Sequence, residues 1–114
     1  PIVPSAEWQR KSRLGAYGDF VMQTDAVVGD VLTALDAAGC AANTIVFFSS
    51  DNGCSPAAKV AKLEAQGHYP SANLRGYKAD AWEGGHRVPF IVRWPGVVKP
   101  ESVCDQLILQ ADLM

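Results

Sequence analysis

From Asp19 to Ala38 the chain contains no proline, and Val21, Val28, Val31, Leu32 and Leu35 recur at helical spacing. No other stretch restricts the possible folds as much. Asp19 has the chemistry of an N-cap, and Gly39 that of a stop in the left-handed conformation. The pattern predicts an amphipathic helix over 19–38. After the short linker "CAAN", residues Thr44 to Ser50 form a β-branched and aromatic run whose apolar residues are continuous. Continuous apolarity predicts a strand buried on both faces, as in a parallel sheet covered by helices. Helix, tight link and buried strand together predict an α/β fold with a mostly parallel sheet flanked by helices.

The remaining chain is organised around that unit. The opening "PIVPSAEWQRKSRLGAYG" is rich in proline, glycine and mixed charge and predicts an irregular segment. A long stretch follows the first strand, from Asp51 to Gly85, with a short helix expected over Pro56 to Gln66 and otherwise glycine, proline and polar residues. A connection this long inside a compact domain is a functional loop or a disordered one. "HRVPFIVRWPG" predicts a second strand, Val88 to Arg93, closed by the Pro95-Gly96 turn, and "VCDQLILQ" a shorter third one. Asp112 reads as the cap of a helix with no room to form, and Pro1 stands where a methionine would begin a whole gene product. Both predict a piece of a longer protein, a single partial domain over 1–114.

Composition removes several function classes. The 48% hydrophobic and 19% charged content is that of an ordinary soluble globular protein. Net charge is −2 and no lysine or arginine cluster stands out, so no nucleic-acid or membrane-surface partner is implied. The runs "TIVFF" and "VPFIV" are too short to span a bilayer. Three cysteines, Cys40, Cys54 and Cys104, lack metal-type pairing and suggest neither a disulfide framework nor a zinc site.

Chemistry concentrates after the first strand. Asp51 and Asn52 follow its carboxyl end, where ligands collect in open α/β sheets. Both offer hard oxygen donors suited to Ca²⁺ or Mg²⁺, and Asp-Asn-Gly is equally ordinary turn chemistry. Calcium takes roughly six to eight oxygens, so two side chains would need further ligands. Cys54, in "CSPAA", stands near a possible helix N-terminus, which would lower a thiol pKa. A small, partly buried cysteine without a role is the commoner case. Lys78, between glycines in "NLRGYKADAWEGG", suits an anion as a point charge. Arg75 has the same two readings, anion binder or structural residue, and Trp82 with Glu83 is expected to pin the loop. His68 and His86 are the only histidines; each is a candidate substrate contact or a hydrogen-bonded structural residue.

Together these segments resemble the sulfatase family, of the arylsulfatase type. The matching blocks are "YGDFVMQTDAVVGDVLTALDAAG", "NTIVFFSSDNG", "LRGYKADAWEGGHRVPFIVRWPG" and the trailing "DLM", in the family's order over nearly the whole chain. The resemblance implies an alkaline-phosphatase-like α/β hydrolase, and this chain as the middle to C-terminal part of its catalytic domain. It implies that Asp51 and Asn52 are two oxygen ligands of a Ca²⁺ and that Lys78 contacts the sulfate of the substrate. The implied partner is a sulfated small molecule or sulfated carbohydrate, and the implied compartment exported, periplasmic or lysosomal.

The family's nucleophile is a formylglycine made in a Cys-x-Pro/Ala-x-Arg motif. "CSPAA" departs from that pattern, because Ala58 stands at the arginine position and Cys54 follows the "SDNG" block. The nucleophile and the early acidic metal ligands are expected outside this chain. Pro1 matches the proline of the family's His-x-Pro context, which puts that histidine upstream. Two other readings remain on the same residues: a phosphonate or phosphate monoester hydrolase of the superfamily, and a non-catalytic binding module that keeps a sulfatase-like surface. A redox role for Cys54 lacks a resolving cysteine nearby.

Overall fold

The predicted helix forms and begins a turn early: α1 spans Gly15–Ala37. The computed structural model describes residues 2–113, so the match of Pro1 and the Met114 of "DLM" lie outside the described residues. Asp19 is inside α1 and is not its cap. Its carboxylate is 3% exposed and accepts hydrogen bonds from the backbone N–H of Arg10 (2.8 Å) and Ser12 (2.6 Å). A buried carboxylate must find such donors, so it ties down the preceding loop instead of opening the helix. The other end behaves as the sequence predicts. Gly39 is left-handed at φ +68°, the N–H of Cys40 reaches the carbonyl of Leu35 and that of Gly39 reaches Asp36. This is the Schellman arrangement, which satisfies the last carbonyls of a helix.

The expected parallel sheet is corrected. Strand β1 (Val46–Ser49) and strand β2 (Phe90–Arg93) pair antiparallel, with Val46 opposite Arg93 and Ser49 opposite Phe90. A continuous apolar run reports burial demand on both faces, which favours a parallel sheet without dictating strand direction. Here the loop from 51 to 89 returns the chain to the end of β1 it left, which imposes the reversal. Burial on both faces is corrected as well: Phe47 is 45% and Phe48 38% exposed. The diagonal Phe47–Phe90 pair, with ring centroids 5.7 Å apart, holds one face. Arg93 pairs with Asp36 at 3.3 Å and joins the sheet to the end of α1.

Two further expectations change. Residues 103–109 form no strand; they are exposed and lead into a 3-10 turn, Gln110–Leu113. A short apolar run has nothing to pair with there, and Gln110 Nε2 instead donates to the carbonyl of Ser50 (2.6 Å). Asp112 lies inside that turn and accepts from the N–H of Leu109. The helix expected over 56–66 divides at Lys59, whose φ is +59°. A 3-10 turn, Pro56–Ala58, is capped by the Ser55 hydroxyl accepting from Ala57 N–H. Helix α2 then runs Val60–Glu64. The change of direction at Lys59 aims Ala58, Val60 and Leu63 at one another, and among the described residues these three form the buried apolar core, with Tyr17, Cys54 and Tyr77 packed around it. Helix α3, Glu83–His86, closes the long loop before β2. Among the described residues no helix is long and apolar enough to cross a membrane.

Candidate functional site

The chain leaves β1 into a turn whose own atoms define it. Ser50 Oγ donates to the carbonyl of Asn52 (2.8 Å), and Asn52 Nδ2 donates to the carbonyl of Gly53 (3.1 Å). The amide donor is thus used within the turn, and Asn52 Oδ1 accepts no hydrogen bond among the described residues. Asp51 is exposed beside it. So the turn reading holds, and the turn carries both oxygen-bearing side chains.

The next residues lock this turn onto the glycine-rich loop. Gly53 N–H donates to the carbonyl of Gly85, and Lys78 N–H donates to the carbonyl of Cys54, each at 2.9 Å. A Cβ on Gly53 would collide with the carbonyl of Gly84, and one on Gly84 with the carbonyl of Gly76. The backbones approach so closely that only glycine fits. Lys78 itself occupies the corner of a β-turn, closed by Asp80 N–H on the carbonyl of Tyr77 (2.9 Å) and by Tyr77 N–H on Asp80 Oδ2 (2.8 Å). Ala79 follows in the left-handed region at φ +77°. The Lys78 backbone thus sits at a hydrogen-bonded corner, and its side chain is exposed with no carboxylate paired to it among the described residues.

A cleft of about 680 Å³ opens beside the turn, lined by Asn52, Cys54, Tyr17, Phe20, Tyr69 and Arg87 among others. Asp51 and Lys78 stand outside its lining, and so do both histidines. His68 packs against Tyr17, ring centroids 5.6 Å apart, with Nε2 buried and unpartnered among the described residues. His86 is exposed at the end of α3. Arg75 stacks on Trp82, its Cζ 3.6 Å from the ring centroid, and Glu83 pairs with Arg87 at 3.2 Å. Sequence reasoning did not single out Tyr17 or Arg87. The available signal for Arg87 is its position directly after "EGGH", where the glycine pair brings the backbone against the Gly53 turn.

Cys54 is the partly buried cysteine that the sequence reading expects as the commoner case. Burial pushes its pKa up, and burial likewise raises Tyr17 beside it. Ser55 caps the following turn, and that turn is too short to lower a thiol pKa. Ala58, at the place where a formylglycine motif carries arginine, is buried in the core.

The donor set fits part of a hard-cation site. Asp51 and Asn52 supply oxygens of the right kind, while no group of three or more His, Cys, Asp or Glu gathers anywhere among the described residues. The family model described as Sulfatase matches residues 3–114. The chain belongs to the sulfatase family. This sulfatase chain is 42% identical over 105 residues to the N-acetylgalactosamine-6-O-sulfatase of Bacteroides thetaiotaomicron, covering 90% of the chain and 20% of that protein. It is 48% identical over 97 residues to the steryl-sulfatase of Rattus norvegicus, covering 82% of the chain and 16% of that protein. A solved structure from work on the metabolism of multiple glycosaminoglycans by Bacteroides thetaiotaomicron matches with a TM-score of 0.78 at 42% identity, over 88% of this chain and 22% of that one. That likeness supports an alkaline-phosphatase-like fold. The sulfatase chain spans about a fifth of the length of these relatives.

Proposed function

We propose that the chain is the middle to C-terminal part of a sulfatase catalytic domain, and that the protein carrying it hydrolyses a sulfate monoester of a small molecule or a carbohydrate. One observation carries this reading: the backbone bond from Lys78 to Cys54, with that from Gly53 to Gly85, joins the Asp51-Asn52 turn to the lysine loop in one rigid unit. Cleavage of a sulfate ester builds negative charge on the sulfate oxygens and the leaving oxygen. Lys78 offers an ammonium to those oxygens from a hydrogen-bonded corner of the backbone, and Asp51 with Asn52 Oδ1 offers two ligands to a divalent cation. That cation, Ca²⁺ or Mg²⁺, supplies charge neutralisation at the ester oxygens when bound. No cysteine here lies in a Cys-x-Pro/Ala-x-Arg pattern, so the formylglycine of the proposed enzyme is carried by residues other than these. His68, packed against Tyr17, and His86, exposed at the end of α3, are given no charge-stabilising role in the proposal.

Replacement of Lys78 is the direct test. K78A in the protein carrying this chain lowers turnover of an aryl sulfate by about 10²–10³-fold, the scale of losing one preorganised charge partner. Unchanged turnover rejects the assignment of Lys78. Faster turnover of the matching aryl phosphate or phosphonate than of the sulfate rejects the sulfatase reading in favour of a phosphomonoesterase.

A further inference from the structure

A second groove, of about 610 Å³, lies against the Asn52 cleft and shares Ala72, Leu74 and Arg87 with it. Its distinctive wall is the stack of Arg75 on Trp82. The stack is built into the loop that carries Lys78. Gly84 N–H donates to the carbonyl of Arg75, Gly85 N–H donates to that of Trp82, each at 2.8 Å, and a Cβ on Gly76 would press on Cβ of Trp82. Backbone contact on both sides therefore holds the two residues next to each other.

The chemistry of that wall points to an oxyanion on a ring. A guanidinium lying flat on indole keeps its N–H edge free for a bidentate bond to a carboxylate or sulfate. Among the described residues Arg75 has no ion pair and no side-chain hydrogen bond, so its donors are uncommitted. The other arginine, Arg87, is held only by Glu83, in a pair whose side chains are 65% and 59% exposed. Such an open pair is weak and exchanges readily. Two arginines against one glutamate leave the groove one positive charge in excess. Trp82 remains half-exposed beside them, an apolar surface on which a saccharide ring can lie.

We propose that this groove is a subsite for a second anionic group, a carboxylate or a sulfate, on the saccharide that carries the scissile sulfate. The proposal rests on the sulfate-ester reading above and narrows its substrate to a saccharide with at least two anionic groups. Arg75 is the specificity-determining residue, and Trp82 is its support and the floor for the ring.

The experiment compares an aryl monosulfate with two sulfated disaccharides, one carrying a uronic acid and one a second sulfate, using the protein that carries this chain. In R75A, kcat/KM for at least one disaccharide falls about tenfold or more relative to that for the aryl sulfate, the size of one charge-assisted bond. Which disaccharide responds identifies the carboxylate or the sulfate as the group bound. R75K, which keeps the charge and loses the fork, recovers little of that ratio. Binding of the same disaccharides, measured by calorimetry in a K78A background, weakens in parallel. An equal loss on all three substrates, or no change in any, overturns the subsite. If no sulfate ester is turned over and yet the disaccharides bind in an Arg75-dependent way, the subsite stands and the sulfate-ester reading fails.

Discussion

Cys54 shows how far a single residue's neighbours decide its chemistry. In the sequence it lies in "CSPAA", close to a nucleophile motif, and next to a turn of helix. In the fold it packs beside Tyr17 around the Ala58 core, where burial favours the neutral thiol. A folded-state pKa above the unfolded one means stability that is fully present below the unfolded value. It is lost as pH rises through the folded value. In the protein carrying this chain, thermal stability falls as pH climbs from about 8.5, the ordinary thiol value, and the raised Tyr17 extends that fall towards higher pH. C54A flattens the first part of the curve; identical pH profiles of melting temperature for wild type and C54A count against a buried, neutral thiol. The glycines at 53, 84 and 85 were only partly legible. Their presence in "SDNG" and "EGG" predicts tight backbone, but that Gly53 meets Gly84 across the loop is a contact between residues far apart in sequence.

At the scale of elements, local signals are legible in the sequence and pairings are not. The stop of α1 at Gly39 follows from one residue's freedom at positive φ, so it was visible. The start was not, because Asp19 has the same composition signature whether it caps its own helix or accepts from a loop behind it. Strand direction was equally hidden: β1 is apolar throughout, and only the path of the loop that follows it sets the antiparallel register. The corrected role of Asp19 has a measurable consequence. D19A removes the acceptor of two N–H groups, those of Arg10 and Ser12. Losing hydrogen bonds to a charged, buried acceptor costs about 1–3 kcal/mol, so D19A is expected to destabilise by roughly that amount. Amide exchange at Arg10 and Ser12 should rise more than anywhere in α2. A loss confined to α1 itself, with 10–12 still protected, would return Asp19 to the role of a helix cap.

The whole molecule exposes more surface than its size accounts for. Its accessible area is 8737 Å², against about 6,100 Å² for a compact monomer of this mass. Its radius of gyration is 16.1 Å, against about 13 Å for a packed domain of this length. Much of the open surface is apolar: Phe20 and Val21 on α1, beside the cleft, and Phe47 on β1 and Ile91 on β2 all stand open, and three residues make up the buried apolar core among the described residues. The sheet has two strands, with its outer edges unpaired among the described residues. Surfaces of this kind seek partners, and so small a core cannot offset the entropy of ordering the chain. The same shortage holds for the chemistry, since two oxygen donors and one lysine meet only part of what a cation and a sulfate require. Prepared alone, the 114 residues are therefore expected to elute as self-associated species, to bind an apolar dye, and to release no sulfate from an aryl sulfate with or without Ca²⁺. Metal-dependent sulfate release by a monomeric preparation would show that these residues hold a complete catalytic centre, and the assignment of Asp51, Asn52 and Lys78 as one part of a larger site would fall.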